Sequence, residues 1–417
     1  MFFRQSSIRL LISAILCAGT AIAATPKTEV EYSGRVNVYG THSKNHASRL
    51  TPNTYHSVWN EQILAADASL GMRMKRGNLA LHGELLVKTH SKKDEDVRLN
   101  EAHGELSVGG SVFLNVGRRV LSYGQSQGLN PVDIFHNPRA DNRALPALLA
   151  VGNREGVDMA GIEMLLANGG SLNLLTAHGA ETRNGGGKNN IPVIGYSGLG
   201  AGGSLEYSIM AAGGKRRGIG MSISSDFGTS AIFYLDAMFL EGRDRRSVMG
   251  ISPAGNPLTG IRKTWGTSEL ATIGMRKLFA DGIDLSLEYS HDSQGYSDGE
   301  WDILMTVAYA SSPPVTAIQG RRLAMVGELL NHFSLRKNYG FARVGKEGIF
   351  EGEANAEITV FHGFDDGSGD VGFRLERPLT EQGVIGVGIG RRYGGANSEF
   401  GLRPKTGRLS IYTSHAF

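Results

Sequence analysis

The sequence lacks several features that define common classes of protein. Its 417 residues include a single cysteine, Cys17, so a disulfide framework of the kind that holds many exported domains is excluded. The 43 basic and 40 acidic side chains nearly balance, which argues against a nucleic-acid-binding protein, because such proteins normally carry a basic excess. The 12 prolines form no repeat, which excludes a collagen-like chain. After residue 24 no apolar run reaches the length of about 18 residues that a membrane-spanning helix needs.

The first 23 residues have the pattern of a secretory signal peptide. Two early arginines precede an apolar run over 10–18, and a small-x-small site follows at 21–23. The alternatives are an uncleaved membrane anchor, for which the apolar run is short, and lipid attachment at Cys17, which is preceded by a leucine where a small residue is expected. We therefore expect a signal peptide at 1–23 and a single exported domain at 24–417.

Alternation of apolar and polar residues dominates the rest of the chain. Over 283–290 every odd position is apolar and every even position is polar, and similar alternation occurs over 30–38, 79–88 and 231–239. This period of two predicts strands with one polar face. Glycine is also abundant, with 58 residues, which is about twice its usual share.

Turn signals and polar segments separate these predicted strands. Tight turns are predicted at 76–78, 109–111, 168–170, 226–228 and 281–282, and longer polar segments at 41–61, 122–153, 179–203, 242–264 and 294–321. Short turns at one end and long loops at the other are typical of an outer-membrane barrel. The sequence thus predicts an all-β, transmembrane antiparallel β-barrel of 16–18 strands, with short periplasmic turns and long extracellular loops. A count of 18 is favoured, although 201–225 and 294–345 leave the number open.

The C-terminal strand and the glycines fit this fold. Alternate residues from Leu409 to Phe417 share one face, and a last strand ending in phenylalanine resembles the assembly signal of bacterial outer-membrane barrels. A soluble sandwich whose edge strand ends in phenylalanine by chance is the alternative. The resemblance implies the barrel-assembly machinery as a partner of the Phe417 strand, besides outer-membrane lipid and lipopolysaccharide. Gly386, Gly388 and Gly390 alternate with apolar residues, so we expect the glycines to face the lumen and Ile385 and its neighbours to face lipid.

A second resemblance lies at 112–164. The chain reads Gly117-Arg118-Arg119-Val120-Leu121-Ser122-Tyr123-Gly124, then Asn130-Pro131-Val132-Asp133, then Arg154-Glu155-Gly156. This resembles a pattern in porin-like and exporter-like outer-membrane barrels, including the alginate-export type. There a strand ends G-R/K-x-x-L-x-W/Y-G, a loop carries N-P-x-D, and the next strand opens with R-E-G. Tyr123 stands where tryptophan is commoner. Asn130, Asp133 and Arg154 either pin the loop or contact solute.

Charged residues on the predicted polar faces are candidates for a pore lining. A long loop over 122–153 could fold inward and narrow the pore, or it could cover the mouth of the barrel. The candidates for the pore lining and constriction are Arg35, Arg73, Lys75, Lys88, Arg119, Asp133, Arg139, Asp141, Arg143, Glu84, Glu101 and Glu105. Because both signs occur, they predict a hydrated and weakly selective wall.

The predicted function is a channel that passes hydrophilic solutes or polysaccharide by diffusion, and not an enzyme. One alternative is a lipid hydrolase, because His291-Asp292-Ser293-Gln294-Gly295 is similar to the H-x-S-N-G segment of outer-membrane phospholipase A, with His291 as base and Ser293 as nucleophile. Another is a structural barrel plugged by its own loops. Since no metal, nucleotide or redox motif occurs, no catalytic residue, metal site or cofactor is predicted.

Overall fold

The computed structural model describes residues 28–45, 61–90, 93–135, 156–180, 189–214, 217–228, 230–242, 246–260, 267–312, 316–330, 334–403 and 405–417. The predicted signal peptide at 1–23 lies outside these ranges. Among the described residues, no helix is long and apolar enough to cross a membrane.

The described chain is built mainly from strands, as the alternation predicts. Their bounds are β1 (Glu29–Asn45), β2 (Glu61–Arg76), β3 (Leu79–His90), β4 (Lys93–Val108), β5 (Val112–Arg119), β6 (Val157–Leu165), β7 (Ser171–Ala180), β8 (Asn189–Gly200), β9 (Leu205–Ala212), β10 (Gly218–Phe227), β11 (Ala231–Glu241), β12 (Ser247–Ile251), β13 (Pro257–Gly260), β14 (Thr267–Leu278), β15 (Ile283–Asp292), β16 (Asn338–Ile349), β17 (Ala354–Gly363), β18 (Ser368–Pro378), β19 (Gly383–Tyr393) and β20 (Lys405–Ala416). Two helices, α1 (Asp298–Ala310) and α2 (Ala317–Leu329), lie between β15 and β16.

Eighteen of the strands form one closed antiparallel sheet. Each pairs with the next along the chain, β11 pairs with β14 past the separate β12–β13 hairpin, and β1 pairs with both β2 and β20. The terminal residue completes the seam, because Phe417 and Gly34 exchange two backbone hydrogen bonds of 2.9 Å. Closure leaves no free sheet edge along the seam. The predicted antiparallel barrel and the preferred count of 18 strands are confirmed.

The two ends of the barrel differ in the length of their connections. All five predicted tight turns lie at one end, together with 201–204, 350–353 and 379–382; we call this the turn end. The other end, the loop end, carries the long connections, but three there are also short, at 91–92, 213–217 and 364–367. The prediction of one polar loop over 179–203 was wrong, because Asn189–Gly200 forms β8. Its glycines and asparagines concealed an alternation in which Ile191 is buried and Ile194 is exposed.

The two faces of the sheet follow the predicted alternation. Ile385, Ile389 and Ile411 are exposed on the outer face, whereas Gly386 pairs with the buried Tyr412 on the inner face. A one-residue shift of register would exchange the two faces of a strand, so the apolar outer face specifies the register. The predicted inward position of the 386–390 glycines therefore agrees with the structure.

The two helices were not predicted from the sequence. Each is only 13 residues long and begins with a capping box, formed by Ser297 with Glu300 and by Thr316 with Gln319. Short segments of this kind carry weak periodicity and resemble polar loops. The helices bury one side against the β12–β13 hairpin and against Leu402 of the 394–403 segment. We call the helices, this hairpin and the 394–403 segment the loop-end cap.

Candidate functional site

The chain enters the barrel directly after β5. The Val120 N–H donates to Glu101 Oε1 at 2.8 Å on the neighbouring strand wall, which fixes the point of departure. Gly124 then adopts φ +82°, and a Cβ there would lie 2.5 Å from Val132 Cγ2. Only glycine allows this turn, because other residues would be strained in φ and would collide with the returning chain. We call residues 120–135 the inserted segment.

Asn130 braces the inserted segment from within. Its Nδ2 donates to the Tyr123 carbonyl oxygen at 2.6 Å, and its Oδ1 accepts from the N–H groups of Val132 and Asp133 at 3.2 Å. Asparagine commonly satisfies backbone groups in tight turns in this way. This arrangement gives the asparagine of the N-P-x-D motif a loop-pinning role.

Two carboxylates on the inner wall hold the inserted segment. Asp236 of β11 accepts from the N–H groups of Gln125 and Ser126 at 2.8 Å, and from Ser126 Oγ at 2.5 Å. Glu288 of β15 accepts from the N–H groups of Gln127 and Gly128 at 2.6 and 2.7 Å. Four consecutive backbone donors are thus satisfied by two side chains. Hydrogen bonds to ionised groups are the stronger class, so this is a firm attachment.

The wall around these two carboxylates is itself braced. Ser222 Oγ donates to Asp236 at 2.6 Å, and Tyr234 donates to Glu288 at 2.7 Å. Thr272 Oγ1 donates to the Leu129 carbonyl oxygen at 2.8 Å and so adds a third point of attachment. Asp236 and Thr272 are completely buried, because the inserted segment covers them. The attachment lies near mid-height of β11, β14 and β15.

Apolar contacts complete the seating of the inserted segment. Its residues Leu121, Val132, Ile134 and Phe135 belong to one buried cluster with inward residues of β6 to β14. Those wall residues are Val157, Met159, Ala177, Ile191, Val193, Met210, Ala212, Met238, Leu240 and Leu270. An inward apolar patch is unusual in a water-filled barrel. The inserted segment covers this apolar patch and removes it from water. This burial stabilises the docked position of the segment.

The inserted segment also meets the loop-end cap. Leu129 packs in a buried cluster with Tyr339 and Phe361 of the wall and with Phe400 of the cap. Next to it, Glu399 is 1% exposed and accepts from the Tyr339 hydroxyl at 2.5 Å. Burial raises the pKa of the Glu399 carboxyl above its usual range, against the opposing charge of Arg403. Two chain segments therefore fill one side of the barrel's loop-end half.

A ladder of paired charges lines the inner wall toward the turn end. Arg343 bridges Asp284 at 3.1 Å and Glu357 at 2.6 Å, and Arg374 continues from Glu357 at 2.8 Å. Arg276 binds Asp284 at 2.9 Å and begins the series. These residues line a cavity of about 700 Å³. Since Asp284 and Glu288 are four residues apart on β15, the ladder lies about 13 Å along the strand from the attachment of the inserted segment.

The predicted pore-lining residues of the strands share one face of the barrel wall. Cross-strand pairing places them on the inner face, opposite the exposed apolar residues: Arg35, Arg73, Lys75, Lys88, Glu84, Glu101, Glu105 and Arg119. Glu101 holds the start of the inserted segment, and Arg73 lies 3.8 Å from Glu31. Asp133 lies on the inserted segment. Arg139, Asp141, Arg143 and the motif residue Arg154 fall outside the described residues.

Several residues of the site were not among the sequence candidates. Asp236, Thr272, Arg276, Arg343 and Glu357 are the main ones. The signal for Asp236 is visible in retrospect, because it is a lone carboxylate inside the apolar run of β11. Its partners, however, lie 110 and 111 residues earlier in the chain. Alternation relates only neighbouring residues of one strand, so it could not predict these contacts.

The structure does not join His291 and Ser293 into the hydrolase site that the sequence suggested. His291 Nδ1 lies 2.8 Å from Asn338 Oδ1, while Ser293 Oγ accepts from the Glu269 N–H at 2.7 Å. A general base must share a hydrogen bond with the hydroxyl that it activates. The hydrogen bonds of these two side chains in the described structure instead secure strand ends.

The fold is similar to solved outer-membrane channels. Acinetobacter baumannii OccAB1 superposes with a TM-score of 0.55 at 9% identity, covering 95% of this chain and 98% of that one. Pseudomonas aeruginosa OccK11 (OpdR) gives 0.54 at 12% identity, with coverage of 93% and 96%. Pseudomonas aeruginosa OccK2 (OpdF), solved in complex with glucuronate, gives 0.55 at 11% identity, with coverage of 93% and 96%. No protein-family model and no curated protein matches the chain.

Proposed function

We propose that the protein is an outer-membrane channel through which small hydrophilic solutes diffuse. The observation that carries this proposal is the inserted segment, which narrows an 18-stranded barrel from inside without being part of its wall. Barrels of 16–18 strands are wide enough to enclose an aqueous path. Because the inserted segment is attached near mid-height of the barrel, it limits the size of solute that can pass.

The position of the segment indicates where solute passes. It contacts the wall from β6 to β17, and the sheet order places β1 and β2 on the opposite side. That opposite wall carries inward charges of both signs, including Arg73 of β2 with Glu31 of β1 at 3.8 Å. The path therefore runs between the segment and this wall. Paired charges favour hydrated polar solutes and give weak selectivity between cations and anions.

Cysteine accessibility tests both the channel and its path. The only cysteine is Cys17, so a Cys17→Ser background leaves an added thiol as the sole target. Ser69 pairs with Arg35 on the inner face, whereas its neighbour Ala68 faces outward and serves as the matched control. In planar bilayers, a charged thiol reagent should reduce the current of the Ser69→Cys channel and leave that of Ala68→Cys unchanged. Absence of any single-channel current, or equal block of both variants, would contradict the proposal.

Solute size and charge are tested separately. Liposomes containing the protein should swell in glucose and in glucuronate, the compound held by the related-fold channel OccK2. Swelling in neither sugar would favour the plugged structural barrel. Passage of alginate oligomers would instead favour an exporter, as the resemblance over 112–164 suggests. Assayed on phospholipid micelles, the protein should show no hydrolysis, in keeping with the separate hydrogen bonds of His291 and Ser293.

Export and assembly form the last part of the proposal. Residues 1–23 are a signal peptide that directs 24–417 to the outer membrane, where the strand ending at Phe417 is taken up by the barrel-assembly machinery. The Phe417 ring also packs over Gly34. Phe417→Ala should therefore slow assembly in cells, while refolding into detergent proceeds at nearly the wild-type rate. Equal slowing in both settings would assign the ring a role in closing the seam instead.

A further inference from the structure

The inserted segment has one face on the barrel wall and one face toward the lumen. Ser126 and Gly128 are buried against the wall, whereas Gln125 and Gln127 are exposed. Both buried residues donate to carboxylates of that wall through their backbone N–H groups. Because the segment lies inside the barrel, an exposed side chain on it points away from the wall and into the lumen. We call Gln125 and Gln127 the amide pair.

The side-chain amides of this pair are unused by the protein. The backbone N–H of Gln125 donates to Asp236 Oδ2 at 2.8 Å, and that of Gln127 donates to Glu288 Oε1 at 2.6 Å. Neither glutamine side chain forms a hydrogen bond within the described part of the chain. A primary amide carries two N–H donors and a carbonyl oxygen with two lone pairs. The pair therefore offers donors and acceptors side by side to a solute in the lumen.

The backbone that carries the amide pair is fixed before any solute arrives. Glu288 is itself held by the Tyr234 hydroxyl at 2.7 Å, and the Tyr234 ring lies over Gly274, where a larger side chain would displace it. On the other side, Ser222 Oγ donates to Asp236 at 2.6 Å. Binding of a solute then orders only the two glutamine side chains, which keeps the entropic cost of binding small.

The charges of the segment and of the wall behind it are covered or distant. Asp236 is fully buried and Glu288 is 6% exposed, because backbone N–H groups of the segment cover both carboxylates. The only charged residue between 120 and 135 is Asp133, which is half-buried and has a further interaction of its own. The ladder of Arg343 lies about 13 Å away toward the turn end. A charged solute thus loses hydration at the pair without meeting a counter-charge, whereas a hydroxyl group exchanges one neutral hydrogen bond for another.

We propose that the amide pair binds neutral polyhydroxylated solutes, that is, sugars and sugar alcohols, as they pass the inserted segment. Each Nε2 donates to a hydroxyl oxygen and each Oε1 accepts from a hydroxyl group, so adjacent hydroxyls on one solute satisfy both ends of an amide. The inference rests on the proposed channel function and adds a preference to it, because a neutral sugar is held more tightly than its carboxylate counterpart of the same size. Gln125 and Gln127 thereby determine the specificity of the path.

Block of the ion current by sugar tests the amide pair. In planar bilayers, glucose bound at the pair obstructs the ion path of the full barrel, so the current should fall with glucose concentration and then saturate. Gln125→Leu and Gln127→Leu keep a side chain of similar size and remove its polar atoms. Each should raise the half-blocking glucose concentration about fivefold, the factor that one neutral hydrogen bond supplies. Gln382→Leu is the matched control and should behave like the wild type, because Gln382 is an exposed glutamine of the turn end.

Glucuronate provides the charged comparison, and the wild type should need a higher concentration of it than of glucose for half-block. Three outcomes would overturn the site. These are a glucose effect on the wild type that never saturates, half-blocking concentrations that are the same in the wild type and both leucine variants, and tighter block by glucuronate than by glucose. All three are read from a conducting barrel, so they refute the amide pair and leave the channel standing. Absence of any current would instead refute the channel function on which the pair depends.

Discussion

Asp236→Ala removes the side chain that makes the most hydrogen bonds to the inserted segment. Three donors on Gln125 and Ser126 lose their acceptor. At about 1.5 kcal/mol for each of these three hydrogen bonds to a charged acceptor, the docked state is destabilised by about 4.5 kcal/mol. A free energy of this size raises the undocked population about two thousandfold relative to the docked one.

Undocking is partial, because other attachments remain. Glu288 still holds Gln127 and Gly128, and the apolar contacts of Val132 and Phe135 are unchanged. We therefore expect the 120–126 stretch to detach first. In planar bilayers, the open-channel current of Asp236→Ala should be larger and noisier than that of the wild type. In liposomes, the limit of solute size should rise.

Asp236→Asn is the matched control for this prediction. Its amide oxygen can still accept the three bonds, while its Nδ2 can face the Ser222 hydroxyl, so its conductance should lie close to that of the wild type. The reasoning is refuted if Asp236→Ala folds as a barrel and conducts like the wild type with the same size limit. That result would mean that the inserted segment does not bound the path.

Three further predictions concern the segment, the wall and the cap. Gly124→Ala should loosen the inserted segment as Asp236→Ala does, because φ +82° costs a non-glycine residue about 1–3 kcal/mol, and single-channel recording should show the larger current. Gly83→Ala, where no atom lies within 4 Å of the added Cβ, should have no effect. Arg343→Gln leaves two carboxylates less compensated, so the reversal potential in a KCl gradient should shift toward cation selectivity. Burial raises the folded-state pKa of Glu399, so cap docking is strongest below the usual carboxyl pKa of about 4.3 and weakens as the pH rises through the folded-state value. Glu399→Gln should abolish this pH dependence, read from the fluorescence of Trp301, whose indole N–H donates to the Asn397 carbonyl oxygen at 2.8 Å.

For each of these three predictions, one experimental result would contradict it. Equal currents in Gly124→Ala and Gly83→Ala would show that the turn at 124 does not position the segment. A reversal potential unaffected by Arg343→Gln would place the charge ladder away from the ion path. A pH dependence of the cap that persists in Glu399→Gln would assign it to another group of the cap.

The faces of the strands were predictable because their cause is local. A residue two positions along a strand returns to the same face, so alternation over 283–290 alone places Glu288 inward and Tyr289 outward. The same reasoning predicted the closed barrel, since exposed strand edges are not tolerated in lipid. Helices α1 and α2 were not predicted because most of their stabilisation comes from burial in the loop-end cap. The periodicity of apolar residues in the sequence does not show such burial.

The path of the chain inside the barrel was less predictable, because it depends on contacts between residues that are distant in sequence. From the sequence, the 122–153 loop could equally narrow the pore or cover its mouth. The described part folds inward because Asp236, Thr272 and Glu288 offer acceptors and a donor on one wall, and because Met210, Met238 and Leu270 offer an apolar surface beside them.

The sequence by itself determined the strand period, the inward and outward faces, the turn end and the near balance of charge. All follow from the alternation of neighbouring residues and from composition. Only the tertiary structure decided which charges meet, that Asp236 and Glu288 hold the inserted segment, and that Arg343 joins Asp284 to Glu357. Closure of an 18-stranded sheet brings together residues separated by more than a hundred positions. Their meeting depends on register and on the path of one loop, neither of which a local pattern encodes.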